Sequence, residues 1–313
     1  MEKKLGKATR DAYGEALIEI GKSNPNVVVL DADLSKSTKT ADFGKNFPDR
    51  FFNVGIMEAN LVGVASGLAA AGKIPFISSF ACFLVCKGFD QFRMAVAFSE
   101  LNVKAVASHG GISIGEDGAS QMSIEDIALT TSLPGFAVMV PSDEFATRAL
   151  IQASARHEGP VYVRTGRPKA PIVHNASTKF EIGKAIRVRE GKDVSIVANG
   201  LLVYEALAAA EQLAAEGISA SVIDMHTVKP LDEAILLEEA RRTGHMVVAE
   251  EHQIWGGLGS AVARFLSTQL PCRMEFVAIA DTFAESGAPD ELMEKYGLTA
   301  PNVVKAVRRV LGK

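Results

Sequence analysis

The chain has 313 residues, 48% of them hydrophobic, so it is long enough to form two domains with sizeable cores. Its 33 Lys and Arg residues against 37 Asp and Glu residues give a net charge of −4, which gives no reason to expect a nucleic acid or an anionic membrane as a partner. Three cysteines without metal-ligand spacing favour a reducing cytoplasm over a disulfide framework. Neither an apolar leader nor a membrane span is predicted.

Short β-branched runs alternate with helical stretches along the chain, which predicts an α/β fold with helices covering parallel sheets. In the first part, strands are predicted at residues 27–30, 75–79, 103–108, 136–140 and 161–164. Helices are predicted between them at residues 9–22, 59–72, 88–98, 124–131 and 142–156.

The stretch from Gly166 to Lys184 contains Pro168 and Pro171 and lacks periodicity, so it is predicted to be a linker. Beyond it, strands are predicted at residues 194–198, 219–224, 246–249 and 274–278, and the clearest helices at 201–216 and 291–296. The sequence therefore predicts two open α/β sheet domains, at residues 1–167 and 185–313, with a linker at 168–184. The second domain is the smaller.

Polar clusters follow several predicted strands at the end where open α/β sheets bind ligands. They begin at Asp31, Ser108 and Arg164, and the last of them, Arg-Thr-Gly-Arg, continues to Arg167. This placement favours a functional role, although loops at strand ends are polar for structural reasons too.

Glu58 opens a predicted helix made almost wholly of Gly, Ala, Ser, Val and Leu. An acidic residue in the first turn of a helix is common because it complements the helix dipole. So many small residues, however, predict close packing against another helix. A carboxylate at such an interface would lose its water and would need a specific partner.

The segment around Glu58, with Gly55 three residues before it, resembles the pyrimidine-binding domain of transketolases. The resemblance implies that the Glu58 carboxylate is catalytic and hydrogen-bonds N1′ of the thiamine diphosphate aminopyrimidine. This contact favours the imino form of the ring, which removes the proton from the thiazolium C2.

Four further positions match cofactor contacts of that family. The resemblance implies that Phe83 stacks on the pyrimidine, with Phe80 in the same cluster, and that Leu34 props the cofactor in its bent form. Asp33 would be a buried carboxylate beneath the site. Considered alone, either phenylalanine could be ordinary core, and Asp33 could be a cap.

The resemblance extends to a sugar-phosphate site at Arg10, Ser37 and Arg164. Two guanidinium groups and a hydroxyl suit a phosphate, because arginine binds its oxygens in a bidentate manner.

Two further positions, His109 and Asp117, match the pair that contacts substrate hydroxyls in that family. The chain departs from the usual pattern at Gln121, where the family commonly has a histidine. Glutamine can hydrogen-bond a hydroxyl but does not titrate near neutrality. Two alternatives follow: another histidine, such as one from a partner, supplies that role, or the donor and acceptor preferences differ here.

The resemblance covers the chain but only the second half of a full transketolase. No Gly-Asp-Gly motif, which holds Mg²⁺ and the diphosphate in that family, occurs in the sequence. We therefore expect a separate N-terminal subunit that carries the metal ligands and shares the cofactor. An α2β2 heterotetramer through a homodimer of this chain is expected, with the segments at 249–259 and 281–287 in packing and oligomer contacts. His252 is an unfavoured site candidate.

Three alternatives remain open from the sequence. The chain could be the β subunit of a 2-oxo-acid dehydrogenase, half of a deoxyxylulose-phosphate synthase, or a non-catalytic regulatory subunit that kept the fold. The residues Arg10, Ser37 and Arg164 favour a phosphorylated sugar over a 2-oxo acid. Retention of Glu58 with its matching aromatic residue argues against a non-catalytic chain.

Overall fold

The computed structural model describes residues 3–313, which contain both strands and helices in each half of the chain. The strands, in chain order, are β1 (Leu5–Ala8), β2 (Val27–Asp31), β3 (Phe51–Asn53), β4 (Ile74–Ser78), β5 (Lys104–Ala107), β6 (Ala137–Met139), β7 (Val161–Arg164), β8 (Lys169–Pro171), β9 (Ile186–Arg189), β10 (Val194–Ala198), β11 (Ala220–Asp224), β12 (Thr227–Lys229), β13 (His245–Gln253) and β14 (Arg273–Ile279).

The helices, in chain order, are α1 (Thr9–Ser23), α2 (Ser35–Thr38), α3 (Ala41–Asn46), α4 (Glu58–Ala70), α5 (Ala81–Gln91), α6 (Asp126–Thr131), α7 (Glu144–Arg156), α8 (Leu202–Ala215), α9 (Glu233–Thr243), α10 (Leu258–Gln269), α11 (Pro289–Lys295) and α12 (Ala300–Val310). A π-helical turn, Phe92–Ala97, continues α5. Within residues 3–313, no helix is long and apolar enough to cross a bilayer.

The strands form a seven-stranded sheet in the order β12-β6-β7-β5-β4-β2-β3 and a five-stranded sheet in the order β14-β13-β10-β11-β9. Central strands such as β2 and β10 are buried along their whole length, as is typical of parallel sheets covered on both faces. The predicted fold class, two α/β units with a smaller second one, is confirmed.

Two strand pairings were not predicted from the sequence, and the second of them ties the halves of the chain together. The strand β8 lies inside the predicted linker and pairs antiparallel with β1. The strand β12, from the second half, pairs antiparallel with β6 and forms the edge of the first sheet. The two halves therefore share a sheet.

The loop after β5 is anchored in the core of the second domain. Its apolar side chains pack in one cluster with strands β10, β11 and β13 and with helix α12; they are Ile112, Ile114, Met122 and Ile124. Because this loop also carries His109 and Asp117, the second domain holds part of the candidate site in position.

Candidate active site

The carboxyl ends of β2, β4 and β5 meet at one edge of the first sheet. Asp31 lies beside Ser78 in the parallel register of β2 and β4, and Phe80 bridges to Ser108 just beyond β4 and β5. The chain enters α4 and α5 from the same edge. Side chains that are far apart in the sequence are thereby brought to one place, as expected for the ligand edge of an α/β sheet.

Glu58 is the first residue of α4 and is 3% exposed. The Ser79 hydroxyl donates a hydrogen bond of 3.2 Å to Oε1 of Glu58, and the Lys87 ammonium lies 3.8 Å from Oε2. The buried Glu58 carboxylate therefore has few hydrogen-bond donors among the described residues, although it has lost its contact with water. Such a carboxylate is ready to bind a polar group of a ligand.

A row of rings leads from Glu58 to the loop after β5. Phe83 stacks on Phe80 with ring centres 5.7 Å apart, and Phe80 stacks on the His109 imidazole at 3.7 Å. The Lys87 ammonium lies over Phe83 at 4.6 Å. Phe83 is half-buried and Phe80 is buried, so the row offers a flat apolar surface beside the carboxylate.

His109 is a neutral imidazole with a defined orientation. Its Nε2 accepts a hydrogen bond of 3.1 Å from Nη1 of Arg10, since arginine has no acceptor, and its Nδ1 then donates to the Ser108 hydroxyl at 2.7 Å. Burial, helped by Arg10, Arg167 and Lys39, lowers the pKa of His109 to about 3. At neutral pH it can therefore orient a substrate hydroxyl but carries no charge.

Arg10, at the start of α1, faces the same region. Its Nη1 also donates to the Ser37 carbonyl at 3.2 Å, whereas its Nε is buried without a hydrogen-bond partner in the described chain. Burial lowers the pKa of this guanidinium from its usual value. An anion from outside the chain would satisfy the free donor. The half-buried Ser37 side chain lies nearby on α2.

Arg164 is engaged inside the protein, contrary to the role predicted from the sequence. It is 5% exposed, and its guanidinium donates to both carboxylate oxygens of Asp126 and to the carbonyls of Ser123 and Glu251. Although burial lowers the pKa of Arg164, Asp126 holds it above its ordinary value. The contacts argue against a substrate role for Arg164, because four of its five N–H donors are used and the group does not face solvent.

Arg167, three residues later, is the guanidinium on the open side of the strand end. It is half-buried, donates to Oε2 of Glu116 at 3.0 Å and to the Ile114 carbonyl, and lies 3.9 Å from Oδ2 of Asp117. It also lies close enough to Arg10 and His109 to depress the pKa of both. The sequence contained the signal, since Arg167 ends the polar cluster that begins at Arg164.

Asp33 is also placed differently from the prediction of a buried carboxylate. It is exposed, has a φ of 64°, and its Oδ1 accepts a hydrogen bond of 2.8 Å from the Asn53 amide. The buried carboxylate is Asp31, which accepts hydrogen bonds from Leu34 N, Thr38 Oγ1 and Thr40 Oγ1. Asp31 thus fixes the backbone that presents the half-buried Leu34.

The glycines after His109 allow the loop to lie against Arg164 and the second domain. A Cβ at Gly110 would be 2.5 Å from the Arg164 side chain. A Cβ at Gly111, whose φ is +82°, would be 2.1 Å from the Glu251 carboxylate. The loop then returns to α5, where the Cys82 thiol donates to the Gln121 carbonyl at 3.2 Å. Gln121 is therefore next to the helix that carries Phe83.

Residues of the segment at 249–259 have structural partners. Glu250 accepts hydrogen bonds from the first backbone N–H groups of α10, and Nε2 of the buried His252 accepts one of 3.3 Å from Ala128 N. His252 donates through Nδ1 to the Gln253 carbonyl at 2.6 Å. These contacts favour a packing role for His252.

Two family models match the chain in succession. The model of the transketolase pyrimidine-binding domain matches residues 6–172, and the model of the transketolase C-terminal domain matches residues 183–303. The chain belongs to the transketolase family. Because the matches cover the pyrimidine-binding and C-terminal domains, it corresponds to the second half of a transketolase.

Two kinds of relative agree with the assignment to the second half of a transketolase: subunits about as long as this chain and a transketolase about twice as long. A relative in Methanocaldococcus jannaschii, named for a transketolase C-terminal section, is 44% identical over 98% of this chain and 97% of that relative. The 6-deoxy-6-sulfo-D-fructose transketolase subunit SqwH of a Clostridium species is 43% identical over 96% of this chain and 94% of that subunit. Human transketolase is 39% identical, but this chain covers only 49% of it.

A solved structure described as a split gene transketolase, inactive beta4 tetramer, is 52% identical, with a TM-score of 0.93 over 98% of this chain and 99% of that one. The chain therefore matches transketolase C-terminal subunits from end to end. The similarity to these transketolase subunits favours a transketolase C-terminal subunit over the dehydrogenase, synthase and regulatory alternatives.

The geometry fits the aminopyrimidine part of thiamine diphosphate, the cofactor of the family. The buried Glu58 carboxylate, which has few hydrogen-bond donors, lies near the half-buried Phe83 ring. An aminopyrimidine needs both, because its ring stacks on an aromatic side chain and its polar atoms need a hydrogen-bond partner. Within residues 3–313, no group of three His, Cys, Asp or Glu side chains could hold a metal ion.

Proposed function

We propose that the chain works with a separate N-terminal subunit as a transketolase that moves a two-carbon ketol unit between sugar phosphates. The observation that carries the proposal is a continuous row of groups that starts at Glu58 and ends at Arg10, in which Lys87 lies between Glu58 and Phe83 and is followed by Phe83, Phe80 and His109. The Glu58 end of the row suits the aminopyrimidine, and the Arg10 end suits an anion. A ketol donor lying between them would reach both.

We propose that four residues of this chain hold the cofactor: Glu58, Phe80, Phe83 and Leu34. Asp33 lies at the edge of this site. Thiamine diphosphate supplies the carbanion that carries the ketol unit. The role of Glu58 is to hold a proton at the pyrimidine N1′, and the role of the rings is to orient the pyrimidine and exclude water. The diphosphate and Mg²⁺ would bind to the N-terminal subunit.

The substrate end is proposed to be formed by Arg10, Arg167 and Ser37, with Arg164 replaced in this role by Arg167. The support is the free Nε of Arg10 and the half-buried position of Arg167. Lys39 adds positive charge, since it also lowers the pKa of His109. We propose that three cations around a neutral imidazole attract a phosphate and that His109, Asp117 and Gln121 bind sugar hydroxyls.

A sulfonated sugar is a second candidate substrate, because the SqwH relative is named for 6-deoxy-6-sulfo-D-fructose. A sulfonate has three acceptor oxygens like a phosphate but only one negative charge. The cations Arg10, Arg167 and Lys39 attract the more highly charged phosphate more strongly than a sulfonate. Direct comparison of the two donors decides between them.

The outer face of α4 is proposed to join two copies of this chain in an α2β2 heterotetramer. Asn60, Gly63, Val64 and Gly67 are exposed on this face, and added Cβ atoms at both glycines would meet nothing within 4 Å. Exposed apolar side chains extend the surface; they are Ile56, Met57, Met94 and Phe98. An apolar surface of this kind supports a permanent contact.

Gly63→Phe is expected to prevent this association without unfolding the chain. The new ring would point into open space in the single chain but would separate two closely packed helices. Removing a helical glycine also favours the helix by up to about 1 kcal/mol. Light scattering should therefore report a smaller assembly, with an unchanged or higher melting temperature. Ala214→Phe, on the exposed side of α8, is the matched control, and an unchanged assembly in Gly63→Phe would contradict the proposed face.

The isolated chain is expected to show no ketol transfer, and activity should appear when the N-terminal subunit, thiamine diphosphate and Mg²⁺ are added. The reason is that the described residues offer a pyrimidine site but no cluster for the metal that holds the diphosphate. Transfer from xylulose 5-phosphate to ribose 5-phosphate is the assay, with 6-deoxy-6-sulfofructose as the second donor. Strong transfer by the pure chain alone would contradict the two-subunit proposal.

We place this activity in the cytoplasm, in the pentose phosphate pathway. The support for the compartment is that the three cysteines, Cys82, Cys86 and Cys272, are free thiols.

A further inference from the structure

Lys87 lies one helical turn after Phe83 on the same side of α5. Its ammonium is 3.8 Å from Oε2 of Glu58 and 4.6 Å from the centre of the Phe83 ring. The side chain is 55% exposed, yet its charged end reaches the gap between the carboxylate and the ring. These are the two groups that the proposed function assigns to the aminopyrimidine.

We propose that Lys87 is a place-holder for the cofactor. In the subunit without cofactor, its ammonium fills the position beside Glu58 and over Phe83, and it withdraws into solvent when the aminopyrimidine arrives. The inference rests on the proposed function and adds to it a residue that controls cofactor entry.

The burial of Glu58 explains why a place-holder is needed. The carboxylate is 3% exposed, and Ser79 is the hydrogen-bond donor that the described side chains offer it. A charge removed from water in this way is destabilising unless an opposite charge is near. Lys87 provides that charge until a ligand provides a hydrogen-bond partner.

The difference in mobility between Phe80 and Lys87 shows which of these two neighbours of Phe83 must move when the cofactor binds. Phe80 is 7% exposed and is fixed between Phe83 and the His109 ring. Lys87 has a flexible, half-exposed stem and can reach solvent by side-chain rotation alone. A flat ring that stacks on Phe83 beside Glu58 needs the space of the ammonium, so binding must break both of its contacts.

Lys87→Met in the assembled complex is therefore expected to bind thiamine diphosphate more tightly than the wild type. Isothermal titration calorimetry at constant Mg²⁺ should give a Kd about five-fold lower, because an exposed ion pair and a cation–π contact no longer have to be broken. Lys87→Arg keeps the competing charge and should remain within about two-fold of the wild type. Lys192→Met removes an exposed lysine of the second domain and is the matched control.

The outcomes separate this inference from the proposed function. An unchanged Kd in Lys87→Met would overturn the place-holder role, and a higher Kd would show that Lys87 helps to hold the cofactor; in both cases the wild-type binding still supports the proposed function. If the wild-type complex itself bound no thiamine diphosphate, the proposed function would fail. Circular dichroism spectra of the variants check that each is folded.

Discussion

Glu58→Gln in the assembled enzyme is expected to lower kcat by about 100-fold or more while leaving the subunit folded. General acid–base groups contribute about 10²–10⁴-fold to rates, and an amide cannot share a proton with the pyrimidine N1′. The Gln carbonyl oxygen can still accept the hydrogen bond from Ser79, so the start of α4 keeps its local contact. Substrate KM should change little, because the lost interaction acts in cofactor activation and not in substrate binding.

The control for this substitution is Glu291→Gln, which removes the same charge from an exposed position in the short helix α11. It should leave kcat unchanged. Thiamine diphosphate binding by Glu58→Gln, measured by calorimetry, separates a loss of activation from a loss of the cofactor. Wild-type turnover in Glu58→Gln would remove the central assignment of the proposed function.

The sheet strands were predictable where the sequence is mostly apolar and β-branched. Residues 161–164 and 194–198 were predicted with the bounds that the structure gives them as β7 and β10, because such runs fit a strand buried on both faces. The short strands β8 and β12 lack this signal. Each has three residues and exists through pairing with a distant partner, which no local pattern encodes.

The candidate site divides in a similar way. The burial of Glu58 could be predicted, because a helix of small residues indicates close packing around the carboxylate at its start, and the structure places Glu58 in a buried position. Its catalytic role is implied by the family resemblance alone. The choice between Arg164 and Arg167 could not be made from spacing. It depends on Asp126, which lies 38 positions before Arg164 in the sequence and becomes its partner only through the packing of α6 against the sheet.

The same reasoning applies to the aspartates after β2. Asp31 and Asp33 are two residues apart, so in a continuing strand both side chains would point to the same side, and spacing alone does not show which of them is buried. The hydroxyls of Thr38 and Thr40 select Asp31, and the Asn53 amide holds Asp33 at the surface. Only the turn into α2 determines which carboxylate meets the threonines.

Arg164→Met is expected to destabilise the chain by about 3–5 kcal/mol, because it leaves the Asp126 carboxylate buried without its counter-charge. Asp126 is 0% exposed, and Tyr162, its remaining hydrogen-bond donor from β7, is neutral. Urea unfolding of the isolated chain, followed by circular dichroism, measures the change. Asp126→Asn combined with Arg164→Met removes both charges and should recover part of the lost stability, as expected for a directly coupled pair.

Arg167→Met is the contrasting variant, because Arg167 is half-buried and its charged partners, Glu116 and Asp117, are exposed. Its unfolding free energy should stay within about 0.5 kcal/mol of the wild type, as is usual for surface positions. Its KM for a phosphorylated donor should rise about ten-fold, the effect of losing one charge-assisted hydrogen bond, whereas hydroxypyruvate, which has no phosphate, should be used as before. Stability is therefore expected to depend on Arg164 and phosphate recognition on Arg167. A stable Arg164→Met subunit with impaired use of phosphorylated donors alone would reverse this assignment and return Arg164 to the substrate site.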